Sequence, residues 1–323
     1  MKFLPLFLIF ALPLAADEPQ QLPDLPAGIT SFGAAVHSDG ALYVFGGHLG
    51  KAHEYSRDDV HKPLLRLKLG DGAEAKWEEL PGEEPALGPA LVTHESGLIR
   101  VGGMQPKNAK GEEHDMHSIA LASRFDPETN KWIGLPELPK PRSSHDAFVS
   151  GDKVYVAGGW QMRGEESSLW ATTVEVLDLS TEKPAWRTLK QPFRRRALAV
   201  VATETELFCF GGLDNGGETS LEVDVLDLET EEWSKGPELP DGPVKGFGLA
   251  ATTVGGEVFI TGLSGEVHRL DRKAGKWVEI DKLDDGRMFA RLAPVDSDTL
   301  IVVGGGTREG RALKLELVEL ESD

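Results

Sequence analysis

The residues best suited to chemistry are cations that stand just ahead of repeated Gly-Gly pairs. Arg142 and His145 open the stretch "RSSHDAFVSGDKVYVAGGW", and alignment on Gly-Gly puts Arg195 and Arg291 at the same two registers. Guanidinium groups hold carboxylate, sulfate or phosphate through paired hydrogen bonds, so the pattern predicts a site for an anionic ligand. The predicted ligand-binding set is Arg142, His145, Trp160, Arg195, Arg196, Arg287 and Arg291.

Two interpretations of these arginines are open. They bind a ligand, or they pair with carboxylates and backbone carbonyls of the scaffold and fill its interior. Arginine alone is a poor proton donor or acceptor, so acid–base catalysis would need His145 together with Glu165 or Glu166. Trp160 and Trp170 similarly offer either a stacking surface for a ring or packing against a neighbouring element.

A second group of candidates consists of histidines in two loops. His48, His53, His114 and His117 lie among acidic residues, and imidazole with carboxylate is a ligand set for a divalent metal. Their spacing matches no compact zinc signature, so they are weak candidates. No metal and no cofactor are predicted.

The elements that must position these residues are short strands. Gly-Gly, or a degenerate form of it, follows an apolar run six times: "LYVFGG", "LIRVGG", "VYVAGG", "LFCFGG", "VFITGL" and "LIVVGG". Each is preceded by a tight turn and another apolar run, which is typical of a hairpin. A third run and a Trp follow in most units, at Trp77, Trp132, Trp186, Trp233 and Trp277. Each unit is therefore a four-stranded antiparallel meander.

The Gly-Gly ending the second strand and the Trp of the fourth resemble kelch repeats, and the resemblance covers essentially the whole chain after its first residues. It implies an all-β fold, a six-bladed kelch-type β-propeller. The expected blade units are approximately 29–82, 83–140, 141–192, 193–241, 242–286 and 287–320. The last unit lacks a Trp, and "LPDLPAG" matches "LPELPK" of the second, so residues 18–27 are expected to supply the closing outer strand.

The N-terminus predicts export. One lysine, an apolar run and small residues precede an acidic start, which is typical of a signal peptide over residues 1–16. The single cysteine, Cys209, permits no intramolecular disulfide and sits in an apolar run. An exported chain without disulfides fits a bacterial envelope, so a periplasmic or secreted protein is expected, with 17–323 as one propeller.

The net charge of −19 argues against nucleic acid and anionic membranes as partners, because both attract clustered cations. The loops after the first three Gly-Gly pairs are long, and long loops on a rigid scaffold favour function. We therefore expect a monomeric binding module for an acidic, sugar-like ligand or a protein partner. Two alternatives stay open: sugar-acid mutarotation, implied by a resemblance in size and blade number to periplasmic sialic acid mutarotases, and a structural role in an envelope assembly.

Overall fold

The computed structural model describes residues 21–320, and six of the antiparallel sheets that they form follow one another in chain order as blades, which confirms the six-bladed propeller. Five blades have four strands and the sixth has three in this part of the chain. Listed from the inner to the outer strand, blade 1 is Gly33–Val36, Ala41–Phe45, Leu64–Lys68 and Glu78–Leu80, and blade 2 is Ala90–His94, Gly97–Val101, Ala122–Asp126 and Lys131–Gly134. Blade 3 is Asp146–Ser150, Lys153–Ala157, Thr173–Asp178 and Trp186–Lys190, and blade 4 is Ala199–Ala202, Glu206–Phe210, Val223–Asp227 and Trp233–Lys235. Blade 5 is Ala250–Val254, Glu257–Thr261, Glu266–Asp271 and Lys276–Lys282, and blade 6 is Arg291–Pro294, Thr299–Val303 and Glu316–Glu319.

The remaining elements lie in the loops. Met104–Pro106, Met116–Ser118, Trp160–Arg163 and Glu166–Trp170 form a separate sheet, Arg195–Arg196 pairs with Leu213–Asp214, and Arg57–Asp59 and Leu69–Glu74 are short 3-10 helices. Residues 21–320 contain no helix of the length and apolar character needed to cross a membrane.

The hydrophobic core lies between the blades. Each inner strand packs beside the inner strand of the next blade, and that of blade 6 packs beside that of blade 1. Alternating side chains leave each sheet with two apolar faces, which neighbouring blades bury. One such cluster, for example, joins Ile301 and Val303 of blade 6 to Leu42 and Val44 of blade 1. The inner strands thus surround a central channel.

The tryptophans of the outer strands fasten each blade to the segment before it. In all five, the indole Nε1–H donates to a backbone carbonyl: Trp77 to Asp24, Trp132 to Pro81, Trp186 to Pro136, Trp233 to Lys190 and Trp277 to Pro237. An indole N–H that is partly buried needs such an acceptor, because leaving it unpaired costs free energy. The repeated Trp is therefore a joint between blades.

The described part of the N-terminal segment lies next to blade 6. Leu25 is 2% exposed, and its N–H donates to the carbonyl of Leu313 at 2.8 Å. Leu138 and Leu239 make the same contact in their own blades, to Ala120 and Leu221. Residues 21–27 contain no β-strand, and 18–20 lie outside the described residues, as does the predicted signal peptide. The closing strand and the signal peptide stay predictions.

Candidate functional site

One mouth of the channel is narrowed by a ring of backbone, here called the collar. It consists of one residue with positive φ from each blade: Ser31, Gly88, Ser144, Ala197, Gly248 and Phe289. Hydrogen bonds link neighbours in the ring, among them Ala197 N–H to the Ser144 carbonyl at 2.7 Å and Phe289 N–H to the Gly248 carbonyl at 2.8 Å. The cavity at the collar measures about 90 Å³.

Three of the predicted ligand-binding arginines do not line this mouth. Arg142, Arg195 and Arg287 are each 2–3% exposed. Each pairs with a carboxylate on the third strand, or at its start, in its own blade: Arg142 with Glu175 at 3.0 Å, Arg195 with Asp224, and Arg287 with Glu316 at 2.7 Å. Each also donates to a backbone carbonyl nearby, of Thr173, Glu222 and Lys314 respectively.

None of these three guanidinium groups presents a donor to solvent in the structure. Their contacts are those of the alternative interpretation, in which the arginines pair within the scaffold. The acids that sequence reasoning missed had a signal: Glu175, Asp224 and Glu316 each interrupt an apolar third-strand run, in "VEV", "VDV" and "LEL". A carboxylate in a buried strand needs a partner, and the arginine supplies it.

A fourth arginine crosses the channel below the collar. Arg291 of blade 6 donates from Nη1 to Oδ1 of Asp146 in blade 3 at 2.9 Å, and from Nε to the carbonyl of Phe32. The other oxygen of Asp146 accepts from the N–H of Val200 in blade 4. Blades 1, 3, 4 and 6 are thus joined at one point. The side chain of Arg291 is 25% exposed, but its charge is already paired.

His145 lies buried beside this ion pair. Its Nε2 is 3.2 Å from the carbonyl of Val101, and Nδ1 has no partner within residues 21–320. Burial, together with the nearby Arg142 and Arg291, lowers the pKa of His145 to about 3. Glu166 lies on the rim, is 69% exposed and pairs with Arg163, while Glu165 is exposed in the adjoining turn. The structure joins His145 to neither glutamate.

We expect His145 to make the protein less stable as the pH falls. The unfolded chain takes up a proton near the ordinary pKa of about 6.5, whereas the native imidazole stays neutral down to about 3. Stability is therefore complete above pH 6.5 and is lost below it, by about 1.4 kcal/mol per pH unit for this group. Urea unfolding between about pH 6.5 and 5 should show a shallower slope in His145→Gln, because one such group is gone. An unchanged slope would contradict this assignment.

The long loops of blades 1–3 join into one structure, here called the rim platform and formed by residues 48–61, 104–118 and 160–170. Strands of the second and third loops share a four-stranded sheet. The first loop is tied to the second by Asn108, whose side chain donates to the carbonyl of Tyr55, and by Tyr55 N–H, which donates to Nε2 of His114. The shared sheet and these two hydrogen bonds hold the three loops in one arrangement.

An aromatic cluster on the platform contacts one unpaired cation, Arg196, from the segment leading to blade 4. The guanidinium of Arg196 lies 4.3 Å from the ring centre of Trp160, which lies 5.4 Å from that of Trp170. Within residues 21–320, no hydrogen bond or ion pair engages the Arg196 side chain, and the buried Nε1 of Trp160 is also without a partner. Burial lowers the pKa of Arg196, while nearby Tyr55 opposes that shift. Two of the predicted ligand-binding residues, Arg196 and Trp160, are therefore in contact, and both have hydrogen-bond donors without a partner.

The predicted metal ligands lie elsewhere on the platform and do not converge. His48 is buried with Nε2 2.9 Å from the carbonyl of Glu54, while His53 is exposed. His114 accepts from Tyr55, and His117 lies 2.6 Å from Asp115. The described part of the chain holds no group of three or more His, Cys, Asp or Glu side chains arranged for a metal. The weak metal hypothesis gains no support.

Comparisons with known proteins agree with this architecture. The family described as KLHDC2/KLHL20/DRC7 Kelch-repeats domain matches residues 32–262. Beta-scruin of Limulus polyphemus is 26% identical over 72% of the chain and 24% of its own length. Kelch-like protein 40 of Xenopus laevis is 25% identical over 76% of the chain and 40% of its own length. The chain spans less than half the length of these relatives.

A solved structure, that of YjhT, superimposes with a TM-score of 0.73 at 17% identity, covering 94% of this chain and 98% of the other. That likeness concerns the fold. The protein is thus a kelch-type β-propeller with long loops on one face. The chain belongs to the kelch-repeat family.

Proposed function

We propose that this protein is an exported binding module whose rim platform takes an anionic, sugar-like ligand. The observation that carries the proposal is the Arg196 guanidinium, which stacks on Trp160 with its donors unpaired. A guanidinium that is already oriented by stacking loses less conformational entropy when it pairs with a carboxylate. The other arginines of the predicted set are already paired, which makes Arg196 the cation through which a ligand carboxylate binds.

The indole rings define the second half of the proposed site. Trp160 and Trp170 are partly exposed and lie at an angle of 55° to each other. Such rings offer a flat apolar surface to the C–H face of a sugar or to an aromatic ring. A ligand with one carboxylate and one ring face matches both features.

The proposal places the ligand on the platform and not in the channel. Small-ligand sites commonly measure about 300–1,000 Å³. The cavity at the collar, at about 90 Å³, is well below that range, and the Arg291–Asp146 pair crosses the channel beneath it. Sugar-acid mutarotation stays a prediction that rests on resemblance, because no acid–base pair is assembled around His145.

The test is calorimetric titration of the mature protein with sialic acid, glucuronic acid and neutral glucose. We expect the acids to bind and glucose not to. Arg196→Ala should weaken binding about 10- to 100-fold, as expected for the loss of a charged hydrogen-bonded pair worth about 1.5–3 kcal/mol. Arg194→Ala is the matched control, because Arg194 is exposed two residues away and should leave the affinity unchanged. Equal weakening by both variants, or binding of glucose alone, would overturn the proposal.

A further inference from the structure

The opposite mouth of the channel is wider than the collar. It is formed by the turns between the first and second strands of the blades, and a depression there of about 450 Å³ spans blades 1–3. We call this depression the funnel. It is lined by Val36, Ser38, Thr93, His94, Glu95, Val149, Gly151 and Asp152.

Three side chains form a hydrogen-bonded series across two blades: His94 and Asp152, which line the funnel, and Ser96, which is half-buried in the turn beside it. Oγ of Ser96 lies 2.7 Å from Nδ1 of His94, and Nε2 of His94 lies 3.3 Å from Oδ1 of Asp152. His94 ends the first strand of blade 2, Ser96 lies in the tight turn that follows it, and Asp152 lies in the corresponding turn of blade 3. The imidazole is buried, with its side chain 6% exposed, whereas that of Asp152 is 51% exposed.

The tautomer of His94 follows from a fourth contact. The backbone N–H of Ser96 also donates to Nδ1, at 3.1 Å. Since an amide N–H only donates, Nδ1 carries the lone pair in the neutral ring and Nε2 carries the hydrogen. The Ser96 hydroxyl therefore donates to Nδ1, and Nε2–H donates to the Asp152 carboxylate. This is the order of groups by which a base activates a serine and a carboxylate orients the base.

We propose that Ser96 is a nucleophile toward acyl esters that approach this mouth of the channel beside the funnel, with His94 as general base and Asp152 as a positioning residue. The Ser96 hydroxyl proton passes to Nδ1 as Oγ bonds to the ester carbonyl carbon. The ester C–O bond then breaks, and the alcohol leaves with the proton held by His94. Water, giving a proton to His94, attacks the acyl-serine. The carboxylic acid departs and Ser96 regains its proton.

The chemistry limits the substrate and the size of the effect. Val36, Thr93 and Val149 give the funnel an apolar wall of small side chains, which suits a short acyl group. General-base assistance contributes about 10²–10⁴-fold to rate, so activated esters are the appropriate probes. This inference concerns the face opposite the rim platform and does not depend on the ligand proposed there.

The experiment is reaction of the full protein with p-nitrophenyl acetate, following nitrophenol release and locating the acetyl group by mass spectrometry. Ser96 should acetylate at least tenfold faster than Ser38, an exposed serine that lines the funnel and has no hydrogen bond to a histidine among the described residues. Ser96→Ala should remove the excess release and Ser38→Ala should not. Asp152→Asn should slow acetylation and change its pH profile, which a purely structural contact would leave alone.

Comparing two serines within the unmodified protein keeps the test valid even where a variant folds poorly. Acetylation of Ser96 no faster than that of Ser38 would overturn the proposal. Undiminished nitrophenol release from a folded Ser96→Ala variant would also overturn it.

Discussion

Replacement of Arg142 by alanine should lower the free energy of unfolding by about 3–5 kcal/mol, the usual cost of leaving one member of a buried ion pair alone. Its partner Glu175 is 2% exposed and would keep only the hydroxyls of Thr173 and Thr188 as donors, each at 2.6 Å. Those two hydrogen bonds do not replace a full positive charge. Urea unfolding at neutral pH measures the loss.

The matched control for Arg142→Ala is Arg187→Ala. Arg187 pairs with Glu231 in an ion pair whose side chains are 50% and 41% exposed. Exposed pairs contribute about 0.2–1 kcal/mol, so this variant should change little. The double variant Arg142→Met/Glu175→Met should recover most of the stability, because no lone charge is left inside. Equal, small losses of unfolding free energy in Arg142→Ala and Arg187→Ala would show that the Arg142 guanidinium is not held in a buried ion pair with Glu175.

Replacement of Gly211 by alanine should cost about 2–5 kcal/mol. Gly211 is the first glycine of the fourth Gly-Gly pair, and its φ is +58°. A side chain there requires the left-handed conformation, at about 1–2 kcal/mol, and a tight fit adds roughly 1–3 kcal/mol. The fit is tight because a Cβ would come within 2.3 Å of the carbonyl oxygen of Gly246 in the segment leading to blade 5. Backbone there cannot rotate away as a flexible side chain does.

Gly255→Ala separates the two contributions. Gly255 has a φ of +59°, within one degree of Gly211, yet a Cβ there has no neighbour within 4 Å. The two alanine variants therefore share the cost of the left-handed backbone conformation, but only Gly211→Ala has the additional cost of a steric clash. We expect Gly255→Ala to lose only about 1–2 kcal/mol in the same urea titration. Indistinguishable losses would show that close approach of the blades does not explain the Gly-Gly pair.

The parts of the fold that the sequence predicted are those in which each repeat unit carries its own local signal. Gly-Gly marks where the chain needs positive φ beside a neighbouring blade, and Trp marks the joint to the preceding segment. Leu25 of "LPDLPAG" and Leu138 of "LPELPK" hold equivalent places in the matched stretches, and the backbone N–H of each donates to a carbonyl, of Leu313 and Ala120 respectively. Such features recur at fixed spacing, so six weak patterns reinforce one another.

The candidate site was less predictable, because which side chains are available to a ligand depends on contacts between residues that are distant in sequence. The register that groups Arg142 with Arg195 is correct, but whether a guanidinium faces solvent depends on Glu175 or Asp224 about 30 residues later. Arg196, adjacent to Arg195, is one of seven candidates in the sequence, and only its contact with Trp160 in the structure distinguishes it from the others. No periodicity predicts that two loops will share a sheet.

From the sequence alone, the class of fold and the number of blades were determined, because repetition and alternation are local properties of the chain. Only the tertiary structure decided which charges are available. Arg142 is paired within its own blade, whereas the contacts of Arg196 and Arg291 come from other blades that meet at the rim and the channel. The free energy of a charge depends on what surrounds it in space, so the same residue type is a structural pair in one place and a free donor in another.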